Sequence, residues 1–304
     1  MSRITLPRSY IRFFNPIILA LAISLAALAD GGQPVTAASS GAAPPNNCVG
    51  IASDSNGYGQ VTFQLPPAPD GAVGIIYIRP FYTYLRADLD TLGLSDLSIA
   101  DHSMTAAGLT ASERTNYLSS TQYGGLIADR CRFVIIGPFI PDVAAAKATP
   151  QQYTAQLLPL VGGLLDKNPQ ARLFVLNFYR AQRADFTASN NGFGMTDERV
   201  ALFDAQIAQF CQSSGPLGRL PQVTCLDTQS LFDGMGTSYL LRDTSKAEFD
   251  RLLFKPTGFQ PSVEQFFNDH PDQSIIGDGI HLSYAGRERL MQRMADIISG
   301  LIPI

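Results

Sequence analysis

The sequence lacks tryptophan and has little charge: 16% of its 304 residues are Asp, Glu, Lys or Arg, and the formal net charge is −4. It has no basic run with which to neutralise phosphates, so a nucleic-acid-binding function is not expected. Only one long apolar run occurs, at the N-terminus, which argues against a polytopic membrane protein. With 45% hydrophobic residues, the rest of the chain can bury a sizeable core, which excludes disorder for most of it.

The N-terminal segment is typical of an export signal. Three arginines and no acidic residue precede an apolar run that ends at Ala29 in a small-x-small pattern. Residues 1–29 are therefore predicted to be a signal peptide, with Ala37 as a second candidate cleavage position and an uncleaved anchor as the alternative. We expect a secreted or periplasmic protein without stable membrane insertion after cleavage.

The folded domain is predicted to span residues 48–304. Residues 30–47 are rich in Gly, Ala, Ser and Pro and show no hydrophobic periodicity, so they are expected to form a flexible tether.

Four cysteines are present, and none forms a CxxC pair, so a zinc or thioredoxin-like site is not supported. An even number in an exported chain favours disulfides. Cys48 and Cys131 each precede an apolar run, and if these runs are adjacent parallel strands the two thiols lie at the same sheet edge. Cys211 and Cys225 would close a short loop. Buried free thiols are the alternative.

Short apolar runs and amphipathic stretches alternate from residue 48 onward. The runs predict strands at 49–52, 97–100, 133–136, 173–178 and 223–226, and the stretches predict helices at 80–92, 111–127, 152–165, 196–210 and 284–301. Strands that are apolar on both faces and separated by helices predict an α/β domain. We expect a three-layer, doubly wound fold around a five-stranded parallel sheet of flavodoxin-like type. Such sheets bind ligands outside the carboxyl ends of their strands.

Two segments in suitable places carry residues for nucleophilic catalysis. Segment 53–59 reads Ser-Asp-Ser-Asn-Gly-Tyr-Gly, and segment 278–286 reads Asp-Gly-Ile-His-Leu-Ser-Tyr-Ala-Gly. A serine hydroxyl needs a base within hydrogen-bonding reach, and histidine fits that role near neutral pH. The imidazole needs an acceptor on its other nitrogen, which an Asp three residues earlier can supply. The alternatives are a plain turn at the first segment and a helix cap or surface pair at the second.

The same two segments resemble conserved blocks of the SGNH (GDSL-type) hydrolases. Segment 278–286 is similar to the closing block of that family. Segment 53–59 is similar to its first block, Gly-Asp-Ser-Asn-x-x-Gly, with a serine in place of the opening glycine. The closing block is the more specific of the two. The resemblance implies the SGNH hydrolase fold, with Ser55 as nucleophile, His281 as general base and Asp278 as the residue that orients the imidazole.

The resemblance is incomplete in the oxyanion hole. Family members use the backbone N–H of the serine, a glycine N–H in the second block and an Asn side chain in the third. The first two correspond here to Ser55 and to Thr105 or Ala106. The third block should read Gly-x-Asn-Asp, but residues 137–140 read Gly-Pro-Phe-Ile. Loss of one oxyanion donor typically lowers kcat by about 10²–10³.

Four other polar residues have candidate roles. Asn56 and Asn177 are possible substitutes for the missing donor, although Asn177 ends a strand expected to lie farther from Ser55. His102 is expected near the site and could contact substrate, but a local hydrogen bond is the simpler interpretation. His270 is interpreted as a solvated loop residue. No two histidines share a ligand spacing, so no metal and no other cofactor is expected.

The connection between the fifth strand and the His281 loop is longer than a compact fold requires. This insertion, at about 229–276, contains a capping box, Ser245-x-x-Glu248, that predicts a short helix, and 261–267 predicts another. We expect it to pack beside the site, where it either shapes acyl or sugar recognition or serves as stabilising cover.

Together these features predict an exported serine esterase or acyl-ester hydrolase acting on a small-molecule or carbohydrate ester. An O-acyltransferase would use the same three residues, because only the acceptor differs. A catalytically weak polysaccharide-binding protein is a third interpretation, motivated by the missing Asn and the altered opening glycine. The sequence does not predict the acyl group or the oligomeric state.

Overall fold

The computed structural model describes residues 45–66, 71–110, 115–143, 148–180 and 196–302. The predicted signal peptide and most of the predicted tether lie outside the described residues. The strands, numbered in chain order, are β1 (Asn46–Ala52), β2 (Gln60–Gln64), β3 (Val73–Ile78), β4 (Ser98–Asp101), β5 (Cys131–Ile136), β6 (Arg172–Leu176), β7 (Val223–Leu226), β8 (Asp243–Thr244), β9 (Leu253–Lys255) and β10 (Ile275–Gly277).

The helices are short around the first strand and longer where they cover the sheet. In chain order they are α1 (Ser55–Tyr58), α2 (Phe81–Thr91), α3 (Thr121–Asp129), α4 (Ile140–Val143), α5 (Pro150–Lys167), α6 (Asp197–Cys211), α7 (Lys246–Leu252), α8 (Gln260–Asp269) and α9 (Tyr284–Gly300). Among the described residues, no helix combines the length and the apolar character that crossing a membrane demands.

Sheet A confirms the predicted fold class. Its five strands are parallel and lie in the order β4-β1-β5-β6-β7. β1 therefore lies between β4 and β5, the next two strands of this sheet in the chain. Alternate residues of β5 point to opposite faces. Phe133 and Ile135 pack into a core with α2 and α9, whereas Val134 and Ile136 pack into a second core with α3, α5 and α6. Burial of both faces explains why the inner strands β1, β5 and β6 contain continuous apolar runs.

A second sheet was not predicted from the sequence. Sheet B is antiparallel, in the order β8-β10-β2-β3-β9. Three of its strands come from the predicted insertion, and β2 and β3 come from the segment between α1 and α2. Phe63, Ile76 and Ile275 pack against α7 and α8 in a third apolar core. The insertion is thus joined to the chain segment that directly follows α1.

The disulfides agree with the predicted pairs, whereas one predicted helix begins later than expected. Cys48 is bonded to Cys131 and Cys211 to Cys225, the pairs that the order of elements predicts. Of the predicted helix at 111–127, residues 111–114 lie outside the described residues, and the prediction is wrong over 115–120. The described part has a single 3₁₀ turn at Tyr117–Ser119, and α3 begins only at Thr121 with Ser120 as its N-cap, because the Ser120 hydroxyl accepts the Tyr123 N–H.

Candidate active site

The segment after β1 forms a single helical turn that carries Ser55. Asp54 caps this turn, and its carboxylate accepts the N–H of Asn56 at 2.9 Å and the N–H of Ile140 at 2.8 Å. Asp54 is fully buried, and burial raises the pKa of its carboxyl, while both hydrogen bonds lower it. The capping residue therefore also ties the loop after β5 to the turn that presents Ser55.

Two glycines of this segment are required by the backbone. A Cβ on Gly57 would overlap Ser103 Oγ and lie 2.6 Å from Ser53 Cβ, so only glycine lets the turn pack against the segment after β4. Gly59 ends α1 with φ +84°, a left-handed conformation that glycine adopts without strain, and its N–H donates to the Ser55 carbonyl. The segment for which a plain turn was the alternative interpretation is thus a short helix with a defined start and end.

Asp278 follows β10 directly and is buried at the start of the closing loop. Its Oδ1 accepts the N–H of Ile280 at 3.0 Å and the N–H of His281 at 2.9 Å, which folds the loop into a tight turn. Its Oδ2 accepts the Thr62 N–H at 3.3 Å. Since Thr62 lies on β2, sheet B supports the carboxylate from the strand beside β10.

The structure brings the three predicted residues of the triad together across 226 positions of sequence. Ser55 Oγ lies 2.8 Å from His281 Nε2, and His281 Nδ1 lies 2.6 Å from Asp278 Oδ2. Burial raises the pKa of Asp278, but the adjacent His281 and the hydrogen bonds to its oxygens outweigh burial and hold that pKa below its ordinary value of 3.8. An ionised carboxylate can only accept, so the proton of a neutral His281 resides on Nδ1 and Nε2 accepts the Ser55 hydroxyl.

The predicted second block lies beside the Ser55 turn. The Met104 N–H donates to the Ser53 carbonyl at 2.8 Å, which continues the pairing of β4 with β1 up to the residues just before Thr105 and Ser55. Within the described ranges, the N–H groups of Ser55, Thr105 and Ala106 have no hydrogen-bond acceptor. Ala106 has φ +56°, so an alanine occupies a left-handed conformation that favours glycine.

The loop that replaces the third block supplies no donor toward Ser55. Phe139 stands where the family has Asn, and it is fully buried, with its ring centroid 5.0 Å from that of Tyr117. The Gly137 N–H donates to the Ala52 carbonyl at 2.7 Å, and the Ile140 N–H is taken by Asp54. Pro138 has no N–H. The side chain of Phe139 therefore packs in the core, and the N–H groups of Gly137 and Ile140 are already bonded.

Neither possible substitute for the missing oxyanion donor has a solvent-exposed side-chain amide beside Ser55. Asn177 lies at the ends of β6 and β7, where its side chain bonds Asp227 at 3.3 Å and accepts the Thr228 N–H at 2.6 Å. Asn56 is fully buried, and its Oδ1 accepts the Tyr179 hydroxyl at 2.8 Å and the Leu282 N–H at 3.3 Å. Asn56 therefore connects the Ser55 turn to the His281 loop from behind.

The other histidines lie apart from this cluster. His102 Nε2 lies 2.7 Å from the carboxylate of Asp129 on α3, so its partner is not the local one expected from the sequence. His270 is the exposed C-terminal cap of α8, and its ring lies 5.1 Å from that of Phe266. In the part of the chain that the structure describes, no group of three or more His, Cys, Asp or Glu is placed to hold a metal ion.

Sequence reasoning missed Thr62, Tyr179 and Arg287 as parts of the site. The first two gave no signal, because a backbone N–H and an ordinary core tyrosine have no pattern of their own. Arg287 did give one. It occupies the apolar stripe of α9 together with Leu290, Met291 and Met294, at the spacing i, i+3, i+4 and i+7, where a charged residue is unexpected.

Comparison with known proteins places this arrangement in a known fold. Neither a protein-family model nor a curated protein matches the chain. Among solved structures, Est24, a carbohydrate acetylesterase from Sinorhizobium meliloti, is similar with a TM-score of 0.52 and 17% identity, over 84% of this chain and 99% of Est24. The inhibitor-bound aryl esterase of M. smegmatis is similar with a TM-score of 0.50 and 17% identity, over 84% of this chain and 99% of its own. The chain therefore has the fold of the SGNH (GDSL-type) hydrolases.

Proposed function

We propose that this protein is a serine hydrolase that cleaves ester bonds, with Ser55 as nucleophile, His281 as general base and Asp278 as the residue that orients the imidazole. One observation carries the proposal: Ser55 Oγ, both nitrogens of His281 and Asp278 Oδ2 form one continuous chain of hydrogen bonds, of 2.8 Å and 2.6 Å. A serine becomes nucleophilic when such a base removes its proton as it attacks.

The proposed reaction has two halves. Ser55 Oγ attacks the ester carbonyl while His281 Nε2 takes the hydroxyl proton, and the imidazolium is stabilised by Asp278. The proton then passes to the departing alcohol, and the acyl group remains on Ser55. In the second half, His281 takes a proton from water, the resulting attack forms the carboxylic acid, and Ser55 Oγ regains its proton.

The oxyanion that forms in each half needs donors, and we assign them to the N–H groups of Ser55 and of Thr105 or Ala106. All three are without acceptors among the described residues, and the left-handed turn at Ala106 follows the Met104 contact with Ser53. Two donor positions instead of three fit a hydrolase with a lower kcat, since one donor contributes about 10²–10³.

For the substrate we propose a class of ester, and for the cellular location we propose export. Est24 is a carbohydrate acetylesterase, which supports a small acyl group on a carbohydrate as the ester to test first. Two disulfides fit an oxidising compartment, and they support export by the apolar N-terminal segment.

Hydrolysis of p-nitrophenyl acetate and of a per-acetylated xylan, assayed on the chain from residue 38 onward, tests the proposal. We expect turnover that falls at least 10³-fold in Ser55→Ala and in His281→Ala, with melting temperatures close to that of the parent protein. Ser103→Ala is the matched control, because it removes a neighbouring hydroxyl outside the proposed chain of hydrogen bonds. Turnover that survives in Ser55→Ala would refute the proposal.

The burial of Phe139 at the third block favours a second candidate, a polysaccharide-binding protein with little catalysis. Acetylated xylan separates the two when both its binding and the release of acetate are followed. A binding protein retains the xylan in the parent and Ser55→Ala forms alike and releases no acetate. An O-acyltransferase would instead release p-nitrophenol slowly in water and faster when a sugar acceptor is added, and the acetyl group would appear on the sugar rather than as acetate, since the acceptor competes with water for the acyl group on Ser55.

A further inference from the structure

Among the described residues, Arg287 has one of the largest side chains that are fully buried, and it bonds to the two segments that carry Ser55 and His281. It stands in the first turn of α9, with its guanidinium carbon 5.1 Å from the centre of the Phe81 ring. No carboxylate of the described residues forms an ion pair with it. Burying an unpaired cation is costly unless its donors are bonded; Nε and Nη1 have acceptors here, whereas Nη2 has none among the described residues.

The donors of Arg287 reach three backbone carbonyls on three separate segments. Nε donates to Leu282 at 3.0 Å, and Nη1 donates to Asn56 at 2.6 Å and faces the Arg79 carbonyl at 3.3 Å. Asn56 directly follows Ser55, and Leu282 directly follows His281. A single planar group is therefore bonded one residue away from both partners of the 2.8 Å contact.

The same two segments are joined a second time through side chains. Asn56 Oδ1 accepts the Leu282 N–H at 3.3 Å, and the Tyr179 hydroxyl bridges Asn56 Oδ1 at 2.8 Å and the Ile280 carbonyl at 3.0 Å. This second link relies on Asn56 keeping its orientation, and the Asn56 carbonyl is the group to which Arg287 makes its shortest bond. The guanidinium fork thus bonds the backbone of the residue whose side chain makes the second link.

We propose that Arg287 is a positioning residue that sets the separation between Ser55 Oγ and His281 Nε2, and that its loss slows the chemical step rather than substrate binding. The inference rests on the proposed function. A misplacement of reacting groups by about 1 Å costs up to about 10² in rate. Lysine keeps the charge but cannot reach Leu282 and Asn56 at once, because it lacks the planar fork.

The test compares Arg287→Met and Arg287→Lys with Leu290→Ala. Leu290 is buried on the same helix and contacts none of the proposed catalytic groups, so it serves as control for a loss of stability. We expect kcat for p-nitrophenyl acetate to fall about 10²-fold in Arg287→Met and about tenfold in Arg287→Lys, with KM within threefold of the parent. Leu290→Ala should keep kcat within threefold at a comparable loss of melting temperature. Equal losses of kcat in the arginine variants and the control would overturn the inference.

A readout that needs no turnover separates this inference from the proposed function. In protein labelled with ¹⁵N-histidine, the Nε2 shift of His281 reports its hydrogen bond to Ser55, and Ser55→Ala marks the value without that bond. Arg287→Lys, which retains a cation and is the variant to use should Arg287→Met not fold, should move the shift toward the Ser55→Ala value. A moved shift in a protein without esterase activity would support Arg287 and refute the hydrolase. An unmoved shift would refute the role of Arg287 whether or not esters are cleaved.

Discussion

Asp278→Asn changes the fewest atoms while removing the feature on which the chemistry depends. Oδ1 of Asp278 accepts two backbone N–H groups at 3.0 and 2.9 Å, so the oxygen of an asparagine is expected to stay there. Its Nδ2 then faces His281 Nδ1, which lies 2.6 Å from Oδ2 in the parent protein. Because an amide nitrogen cannot accept, the imidazole must carry its proton on Nε2 and has no lone pair for Ser55.

The expected result is a fall in kcat of about 10³–10⁴ with KM little changed, the size of effect produced by the wrong tautomer in a Ser-His-Asp site. p-Nitrophenyl acetate hydrolysis at pH 7.5 measures it. Asp129→Asn is the matched control, since it alters a second His-Asp pair of 2.7 Å that the proposed reaction does not use, and it should keep kcat within twofold. A loss below tenfold in Asp278→Asn would refute the role given to the carboxylate.

The same variant has a signature in stability. The pKa of Asp278 lies below its ordinary value of 3.8, so the folded state favours the ionised form. The resulting stabilisation is present above about pH 4 and is lost as pH falls through the folded-state pKa. The difference in melting temperature between the parent protein and Asp278→Asn should therefore shrink below pH 4. A difference that stays constant from pH 7 to pH 3 would contradict the lowered pKa.

Three further predictions concern residues around the site. Ala106→Gly should raise the free energy of unfolding by about 0.5–1 kcal/mol in urea titration, because glycine adopts φ +56° without strain. Burial raises the pKa of Asp204 to about 7, so the folded state loses stability through this group as pH rises from about 4 to 7. Asp204→Asn, which keeps an acceptor for the Phe178 N–H, should therefore stabilise the protein by on the order of 1–2 kcal/mol at pH 8, allowing for partial solvent screening, and by almost nothing at pH 4. Phe139→Asn should not raise kcat and should cost about 3–5 kcal/mol of stability, since it empties a core position and buries an amide.

Each of these has a contradicting result. Destabilisation by Ala106→Gly would mean that the left-handed turn costs alanine nothing. An Asp204→Asn effect that is equal at pH 4 and pH 8 would mean that the carboxyl does not titrate between them. A gain of tenfold or more in kcat for Phe139→Asn would mean that the loop can still supply a third donor.

Sheet A was predictable because each of its strands carries its own local signal. A parallel strand buried on both faces is a continuous apolar run, and Cys131–Ile136 and Arg172–Leu176 are recognisable without their partners. The Cys48–Cys131 pair followed from the same order of strands, since Cys48 lies near the start of β1 and Cys131 at the start of β5, and these two strands are neighbours in the sheet.

Sheet B was not predictable for a physical reason. Its strands β8, β9 and β10 have two or three residues each, too few to show a period of two. β9 and β10 pair with β3 and β2 far earlier in the chain, as Gly277 does with Phe63, and β8 pairs with β10. Such pairing depends on tertiary packing, which a window of sequence does not contain.

The residues of the site likewise fall into those that the sequence reveals and those that only the fold reveals. Ser55, Asp278 and His281 are recognisable because their chemistry and their place in two short segments agree. The Thr62 N–H on Asp278 and the guanidinium of Arg287 between Asn56 and Leu282 are visible only once the chain is folded, because each joins positions more than 200 residues apart.

Covalent labelling with a fluorophosphonate tests the central claim without knowledge of the substrate. The reagent reacts with a serine only when a neighbouring base activates it, so peptide mass spectrometry should find one adduct, on Ser55. The adduct should form at least 10²-fold more slowly in His281→Ala and be absent from Ser55→Ala. A folded protein that remains unlabelled at Ser55, or one labelled equally fast without His281, would contradict the account.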